Sequence, residues 1–401
     1  MNEKLIVKNF GPIKHAELDL KKVTVFIGPQ GSGKSTLAKL VALFNDKAFL
    51  SDSLLDKPNL SYFEKYQTQY FINLNTNIDF VTEKHSFNYK PTKNNFILKD
   101  VPEMTGELFG ELNRRENTSF ESTKNGYLSF FESVKMMGGS HGTIYRAMVE
   151  GLVKQITEQL TSKTKYLTTD RLLVSSISDS ILGLLNADVA LQKSTTEFGN
   201  YFEIARLSIP NLFIDYLNVT YKYENGRNFV FHNETDSVPL SASASGHQST
   251  IPLHLTVEHF AKEGNTHFIV EEPELNLFPT TQKQLVGYLA DKCTQNGNEL
   301  LITTHSPYIL SAINNLIFAY KVAHEIPEKS EEVAQIIPRE QWLKPDDVAA
   351  YYVADGTVKS IIDEGEGLIG ENELDAISED ISGERDQLFK ILRSKKRETV
   401  H

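Results

Sequence analysis

Three groups of residues in this chain have the types and spacing to handle a chain of phosphates. The first is Gly28-Pro29-Gln30-Gly31-Ser32-Gly33-Lys34-Ser35-Thr36, which satisfies the pattern G-x-x-x-x-G-K-[ST]. Glycines let the backbone curl with its N–H groups turned inward, where they hold phosphate oxygens. A helix beginning near Lys34 adds the positive end of its dipole. Lys34 reaches β- and γ-phosphates, and the Ser35 hydroxyl suits Mg²⁺. The expected nucleotide contacts are therefore Gly28, Gln30, Gly31, Ser32, Gly33, Lys34, Ser35 and Thr36. The second group is Glu271-Glu272, at the end of the apolar run 268–270. Glu271 suits a metal, directly or through water, and Glu272 suits the orienting and polarising of an attacking water. The third is His305, which closes the run 300–304 and can donate a hydrogen bond to a γ-phosphate oxygen. The bland readings are a solvated acidic strand end and a lone loop histidine.

Positioning these residues needs strands that end at one edge of a sheet. Residues 23–27 read as a buried strand and 37–45 as an apolar-faced helix, which gives the glycine loop strand and helix on either side. Residues 266–270 and 299–303 read as buried strands separated by a helix over 280–294. Such alternation is that of a parallel sheet with covering helices, where ligands bind at the carboxyl ends of the strands. A small-residue loop, Ala242-Ser243-Ala244-Ser245-Gly246-His247-Gln248, precedes a helix over 247–262 and makes another helix amino terminus suited to anions. Residues 5–10 and 15–20 read as further strands, 70–73 and 78–81 as the start of a strand-rich meander that ends near Leu98, and 220–231 as a hairpin turning at Asn225-Gly226. Residues 102–163 look mainly helical. Four blocks follow: 1–101 with the phosphate loop, 102–235 as a mainly helical insertion or lid, 236–318 with the acids and His305, and 319–401 as an extension. In the extension, 319–322, 334–337 and 350–354 read as strands or a short helix, and 371–392 as helical.

The chain has 401 residues, 40% hydrophobic and 23% charged, with a formal net charge of −12. The acidity weighs against a whole-surface nucleic-acid binder, although a local basic groove would be compatible with it. Cys293 is the only cysteine, which excludes an intramolecular disulfide and a cysteine-cluster zinc site. No run of about 18 apolar residues is present to span a bilayer. The start of the chain has no charged-then-apolar segment. A cytoplasmic protein without membrane contact is expected.

Taken together, the motifs resemble those of ABC-type ATPases of the SMC/RecF/OLD branch. Residues 28–36 match the Walker A of that group. Ser245-Gly246-His247-Gln248 resembles its signature motif, with His247 where a second glycine often sits. Residues 271–279 are similar to the Walker B and D-loop of OLD-like members, and His305 matches the switch histidine. Glu271 stands where aspartate is usual, and no glutamine loop is evident, Gln67 and Gln69 being surface candidates. The resemblance implies an α/β P-loop NTPase: an ABC-type head with a mixed or parallel sheet core, a β-rich amino-terminal lobe and a helical insertion. It implies ATP and Mg²⁺ as ligands, with Ser35 and Glu271 on the metal. Lys34, Glu272 and His305 would carry hydrolysis. Two copies would close head to tail, so that Ser243, Ser245, Gly246 and Gln248 of one cap the phosphate held by the other.

Asp170-Arg171 resembles the strand-loop arginine of the group, open to a phosphate or partner contact or to a structural ion pair. The chain contains no Asp-x-Asp pair, so a nuclease site of the TOPRIM type is not expected. OLD-like ATPases without their own nuclease resemble subunits of anti-phage systems such as Septu or PARIS. A homodimer or larger homo-oligomer that controls a separate nuclease or toxin is thus the expectation, with nucleic acid touched weakly or indirectly. The competing expectation is a RecF-like repair or recombination ATPase that binds DNA directly.

Overall fold

A computed structural model describes residues 3–54, 60–83, 85–91, 95–98, 163–178, 191–363, 365–370, 383–385 and 387–389. Most of the expected helical insertion and most of the expected helix over 371–392 lie outside them.

An eleven-stranded mixed sheet organises the chain. Its parallel half is built from β3 (Val23–Ile27), β7 (Lys163–Leu167), β12 (Thr266–Glu271), β13 (Glu299–Thr304) and β14 (Val348–Ala354), in the order β14-β3-β13-β12-β7. All residues of β3, β12 and β13 are buried. Strands covered on both faces lose the polar alternation of a half-exposed strand, which is why they read as continuous apolar runs. Val23, Val25, Ile27, Phe268, Val270, Leu300 and Ile302 pack into one core, and Phe26, Ile269 and Leu301 into the core on the other face.

The antiparallel half is formed by β1 (Glu3–Phe10), β2 (Ile13–Leu20), β4 (Asn77–Val81), β5 (His85–Tyr89), β6 (Asn95–Leu98) and β15 (Thr357–Ser360). Its core side carries the helix α1 (Lys34–Phe44). The helices α2 (Lys47–Leu54) and α3 (Leu60–Lys65) follow. On the other face pack α4 (Arg171–Ile177), α5 (Lys193–Ser208), α6 (Ser245–Phe260), α7 (Pro279–Cys293) and α8 (Pro307–Glu325), followed by α9 (Ser330–Ile336). A second, four-stranded antiparallel sheet holds β8 (Asn211–Ile214), β9 (Val219–Glu224), β10 (Arg227–Phe231) and β11 (Ser237–Pro239). Its hairpin turns at Asn225-Gly226, as expected.

Three sequence expectations are corrected. Residues 70–73 do not begin the meander as strand: Gln69–Phe71 is a single 3₁₀ turn in which the Phe71 N–H donates to the Thr68 carbonyl (3.0 Å). Residues 319–322 do not form a strand. They continue α8, whose buried Ile309, Leu310, Ile313, Leu316 and Ile317 set a helical period that Ala319 and Ala323 keep. Read alone, Ala319-Tyr320-Lys321-Val322 alternates as a strand would. Residues 334–336 likewise belong to α9. The extension does supply sheet: β14 lies parallel beside β3, and β15 turns back antiparallel on it through Asp355-Gly356. Residues 348–360 thus sit between the two halves of the sheet. Within 102–235, β7 belongs to the main sheet.

Candidate nucleotide site

The parallel strands β3, β7, β12 and β13 deliver their following loops to one edge. After β3 the chain enters residues 28–36. Gly28, Gly31 and Gly33 have φ of 152°, 74° and 107°, a region that side chains with a Cβ resist. At Gly28 the reason is also spatial: a Cβ would lie 2.1 Å from the Val353 carbonyl oxygen of β14. Lys34, in the first turn of α1, is 4% exposed. Its Nζ donates to the carbonyl oxygens of Gly28 (2.9 Å) and Pro29 (2.8 Å), and lies 3.3 Å from His305 Nδ1. Burial lowers this ammonium to about 8, against the opposing pull of Glu272 and Glu274. Gln30 and Gly31 are exposed at the loop tip, Ser32 and Ser35 are half-buried, and Thr36 is buried. The Ser32 hydroxyl is buried and makes no hydrogen bond.

His305 follows β13, and its Nε2 lies 3.2 Å from Glu272 Oε1. With the Lys34 ammonium as donor to Nδ1, the ring hydrogen belongs on Nε2 and points at Glu272. Lys34, His305 and Glu272 therefore form one chain of polar contacts. Glu274 sets the histidine in place: its Oε1 accepts from the Thr304 hydroxyl (2.7 Å) and the His305 backbone N–H (2.8 Å). Sequence reasoning gave Glu274 no role of its own; its only signal was a third acid two residues after the pair.

Glu271 ends β12 and is 4% exposed, and among the described residues its buried Oε1 has no partner at good hydrogen-bond geometry, the Tyr166 phenol being close by. A buried carboxylate oxygen left in this way is suited to a cation. Burial, then the Glu271 charge, raises this phenol of β7 well above its ordinary range. Among the described residues no cluster of three His, Cys, Asp or Glu side chains could hold a metal. Mg²⁺ fits this, since it is commonly bound by one or two protein oxygens and completed by phosphate and water. Ser35, half-buried in the first turn of α1, and buried Glu271 are the two oxygens that the sequence leads one to expect on it.

The signature residues lie elsewhere. Ser245 is exposed at the start of α6. Ser243 is buried and its hydroxyl donates to the Leu240 carbonyl (2.8 Å). Gln248 is occupied within the loop, its Nε2 donating to the Ser243 carbonyl (2.7 Å). A Cβ at Gly246 would stand 3.0 Å from the Asn276 carbonyl oxygen, so α6 abuts the turn after the acidic pair. Half-buried His247 sits beside His232, ring centroids 5.6 Å apart, and burial lowers it. Among the described residues no hydrogen bond or ion pair joins residues 243–248 to the phosphate loop. The structure thus joins Lys34, His305 and Glu272 by contact at one edge, with Glu271 next to Glu272, while the signature residues adjoin the turn after the acidic pair and make no such contact with the phosphate loop among the described residues. Of the glutamine-loop candidates, Gln67 is exposed, whereas Gln69 is half-buried with Oε1 inaccessible and unbonded.

The profile of a family described as AAA ATPase domain matches residues 1–128 and 117–310. No curated protein matches the sequence. Among solved structures, the SMC head domain from Thermotoga maritima is 11% identical, with 90% of this chain and 98% of that one covered and a TM-score of 0.37. An SMC head bound to the C-terminal winged-helix domain of ScpA is 12% identical over 89% and 96%, with a TM-score of 0.42. The recombination mediator protein RecF-ATPrS of the RecFOR pathway is 12% identical over 90% and 98%, with a TM-score of 0.34. Among the described residues no helix is long and apolar enough to cross a membrane. The glycine loop with its lysine, the acidic strand end and the histidine beside them stand inside the matched region, and the chain belongs to the AAA ATPase domain family.

Proposed function

We propose that the chain binds Mg·ATP at the phosphate loop and hydrolyses it. The observation that carries this reading is the contact chain from Lys34 through His305 to Glu272, at the mouth of a glycine loop. Lys34 would grip the β- and γ-phosphates, and loop N–H groups would hold the remaining oxygens. Bound Mg²⁺, held by Ser35 and Glu271, would supply charge neutralisation at the phosphates. Glu272 would orient the attacking water and His305 would keep it aligned through Nε2–H; once Lys34 turns from Nδ1 to the phosphates, that nitrogen would be free to take up a proton and donate to a γ-phosphate oxygen.

The site completes itself, in this reading, when a second copy offers Ser243, Ser245, Gly246 and Gln248 across the nucleotide. Support comes from their making, among the described residues, no hydrogen bond or ion pair with their own phosphate loop. It also comes from Phe278 (73% exposed) and Tyr308 (53%), apolar surface at the starts of the two helices that leave the site. ATP occupancy would then set the assembled population, and the assembly would control a separate nuclease or toxin in anti-phage defence.

Calorimetry and turnover test the site. Lys34→Ala is expected to lose Mg·ATP binding. Glu272→Gln is expected to keep binding and to slow hydrolysis by about 10²–10⁴, the range for losing a positioned general base. Equal uptake by Lys34→Ala and native protein would remove the reading. Pull-down of a nuclease or toxin is expected of the assembled form. Salt-sensitive binding of duplex DNA by the ATPase alone, with no such partner, would favour a repair role.

A further inference from the structure

Arg171 is 1% exposed, and among the described residues it forms no ion pair. Its guanidinium is spent on backbone. Nη1 donates to the Thr168 carbonyl (2.8 Å) and the Glu271 carbonyl (2.7 Å), and Nη2 to the Glu272 carbonyl (2.6 Å). The β7–β12 ladder stops at Leu167 and Val270, so Arg171 takes the next β12 carbonyl, beyond the last strand pair. In place of the ion pair that the sequence left open, the guanidinium forms a carbonyl clamp.

What the clamp holds is unusual backbone. Glu272 has φ of 40°. A left-handed conformation costs a side-chain-bearing residue about 1–2 kcal/mol and persists only where the surroundings fix it. Two peptide groups flank this residue. The first has its N–H on the Thr303 carbonyl (2.8 Å) and its carbonyl on Arg171. The second belongs to Pro273, which has no N–H, so only its carbonyl can be held. That carbonyl accepts from Arg171 and from Leu275 N–H (3.1 Å). Arg171 is thus the one side chain among the described residues that bonds to both peptide carbonyls around the twist. It is anchored in turn: α4 is tied to α6 where the Ser175 hydroxyl donates to the Gln248 carbonyl (2.6 Å).

We propose that Arg171 is a positioning residue, which fixes the left-handed turn at Glu272 and so aims the Glu272 carboxylate at His305 and the reacting phosphate. The inference rests on the role proposed above for Glu272. Arg171 stays cationic at neutral pH, although burial lowers it to about 10; Glu271, Glu274, Glu272 and Asp170 oppose that fall. No lysine replaces the forked geometry that reaches two carbonyls at once.

The test separates binding from turnover. Arg171→Lys should bind Mg·ATP within about threefold of native yet hydrolyse it about a hundredfold more slowly, the scale of a misplacement near 1 Å. Arg171→Ala should regain rate on addition of millimolar guanidinium ion, and Glu272→Gln should not. Native-rate hydrolysis by Arg171→Lys overturns the proposal, as does a parallel loss of binding and turnover in both Arg171 variants. Native-rate hydrolysis by Glu272→Gln would remove the Glu272 role and this inference with it. Loss in Glu272→Gln beside an unimpaired Arg171→Lys would remove the Arg171 role alone.

Discussion

Buried carboxylates stand at both edges of the parallel strands, and their company differs. At the carboxyl edge Glu271 and its neighbours Glu272 and Glu274 share their surroundings with Lys34, Arg171 and His305. At the amino edge Glu299 opens β13 and lies beside Glu3 of β1, both under a tenth exposed. Their neighbours are an amide, Asn45, whose Nδ2 donates to Glu3 Oε2 (3.4 Å), and His267, whose Nδ1 is 3.9 Å from Glu299 Oε2. Burial lowers His267, with Glu299 opposing, so it supplies no dependable positive charge. Burial and then the Glu299 charge push Glu3 up to about 7, outweighing the opposing pulls of the Asn45 amide and the terminal ammonium. A buried acid alone is therefore poor guidance to function. Acids interleaved with cations at the ligand edge can handle phosphate and metal, whereas acids left to themselves tend toward the neutral form.

The sharpest way to break the carboxyl edge without touching a charge is Gly28→Ala. The added Cβ would meet the Val353 carbonyl oxygen at 2.1 Å, and that atom is backbone, which cannot rotate away. A loss of about 3 kcal/mol or more is expected, in the range of severe overpacking plus backbone strain. Gly31→Ala has open space around its Cβ and pays only for its φ of 74°, about 1–2 kcal/mol. Urea unfolding of the two variants decides this, and equal losses would refute the contact between the loop and β14.

That contact also marks the limit of what the sequence reveals. Residues 23–36 were legible because strand, loop and helix are consecutive, and their spacing alone dictates the turn. Glu271, Glu272 and His305 were legible because each closes an apolar run. Val353 was not, since its partner Gly28 lies at the other end of the chain and no local pattern couples them. The same holds for Arg171, whose partners are carbonyl oxygens that every residue carries. The strand misread at 319–322 shows a four-residue window overruled by the longer period of α8.

Lys34 sharpens the comparison through pH. Free protein loses the Lys34 proton near pH 8, while a bound triphosphate favours the charged form and keeps it. Affinity for Mg·ATP should accordingly hold below pH 8 and fall above it, approaching tenfold per pH unit. Calorimetry from pH 7 to 9.5 measures this, with Lys34→Arg as the variant whose profile stays flat. A flat profile in native protein would mean that Lys34 does not carry the charge that grips phosphate.

At the amino edge the shift is upward rather than downward, and the readout is stability. Glu3 titrates near 7 in the folded chain and near 4.5 in the unfolded one. Between these values the folded state holds more protons, so stability falls as pH rises from 4.5 to 7, and the full penalty is present above 7. Its upper size is on the order of 3 kcal/mol, from about 1.4 kcal/mol for each pH unit between the two values. Glu3→Gln keeps the shape and the acceptor for Asn45 and removes the charge. It should stabilise the protein by about 1–3 kcal/mol at pH 8 and leave it nearly unchanged at pH 4.5. Denaturant unfolding at the two pH values checks the claim. Destabilisation at pH 8, or an equal effect at both, would show that Glu3 is charged and compensated, and the contrast between the two edges would collapse.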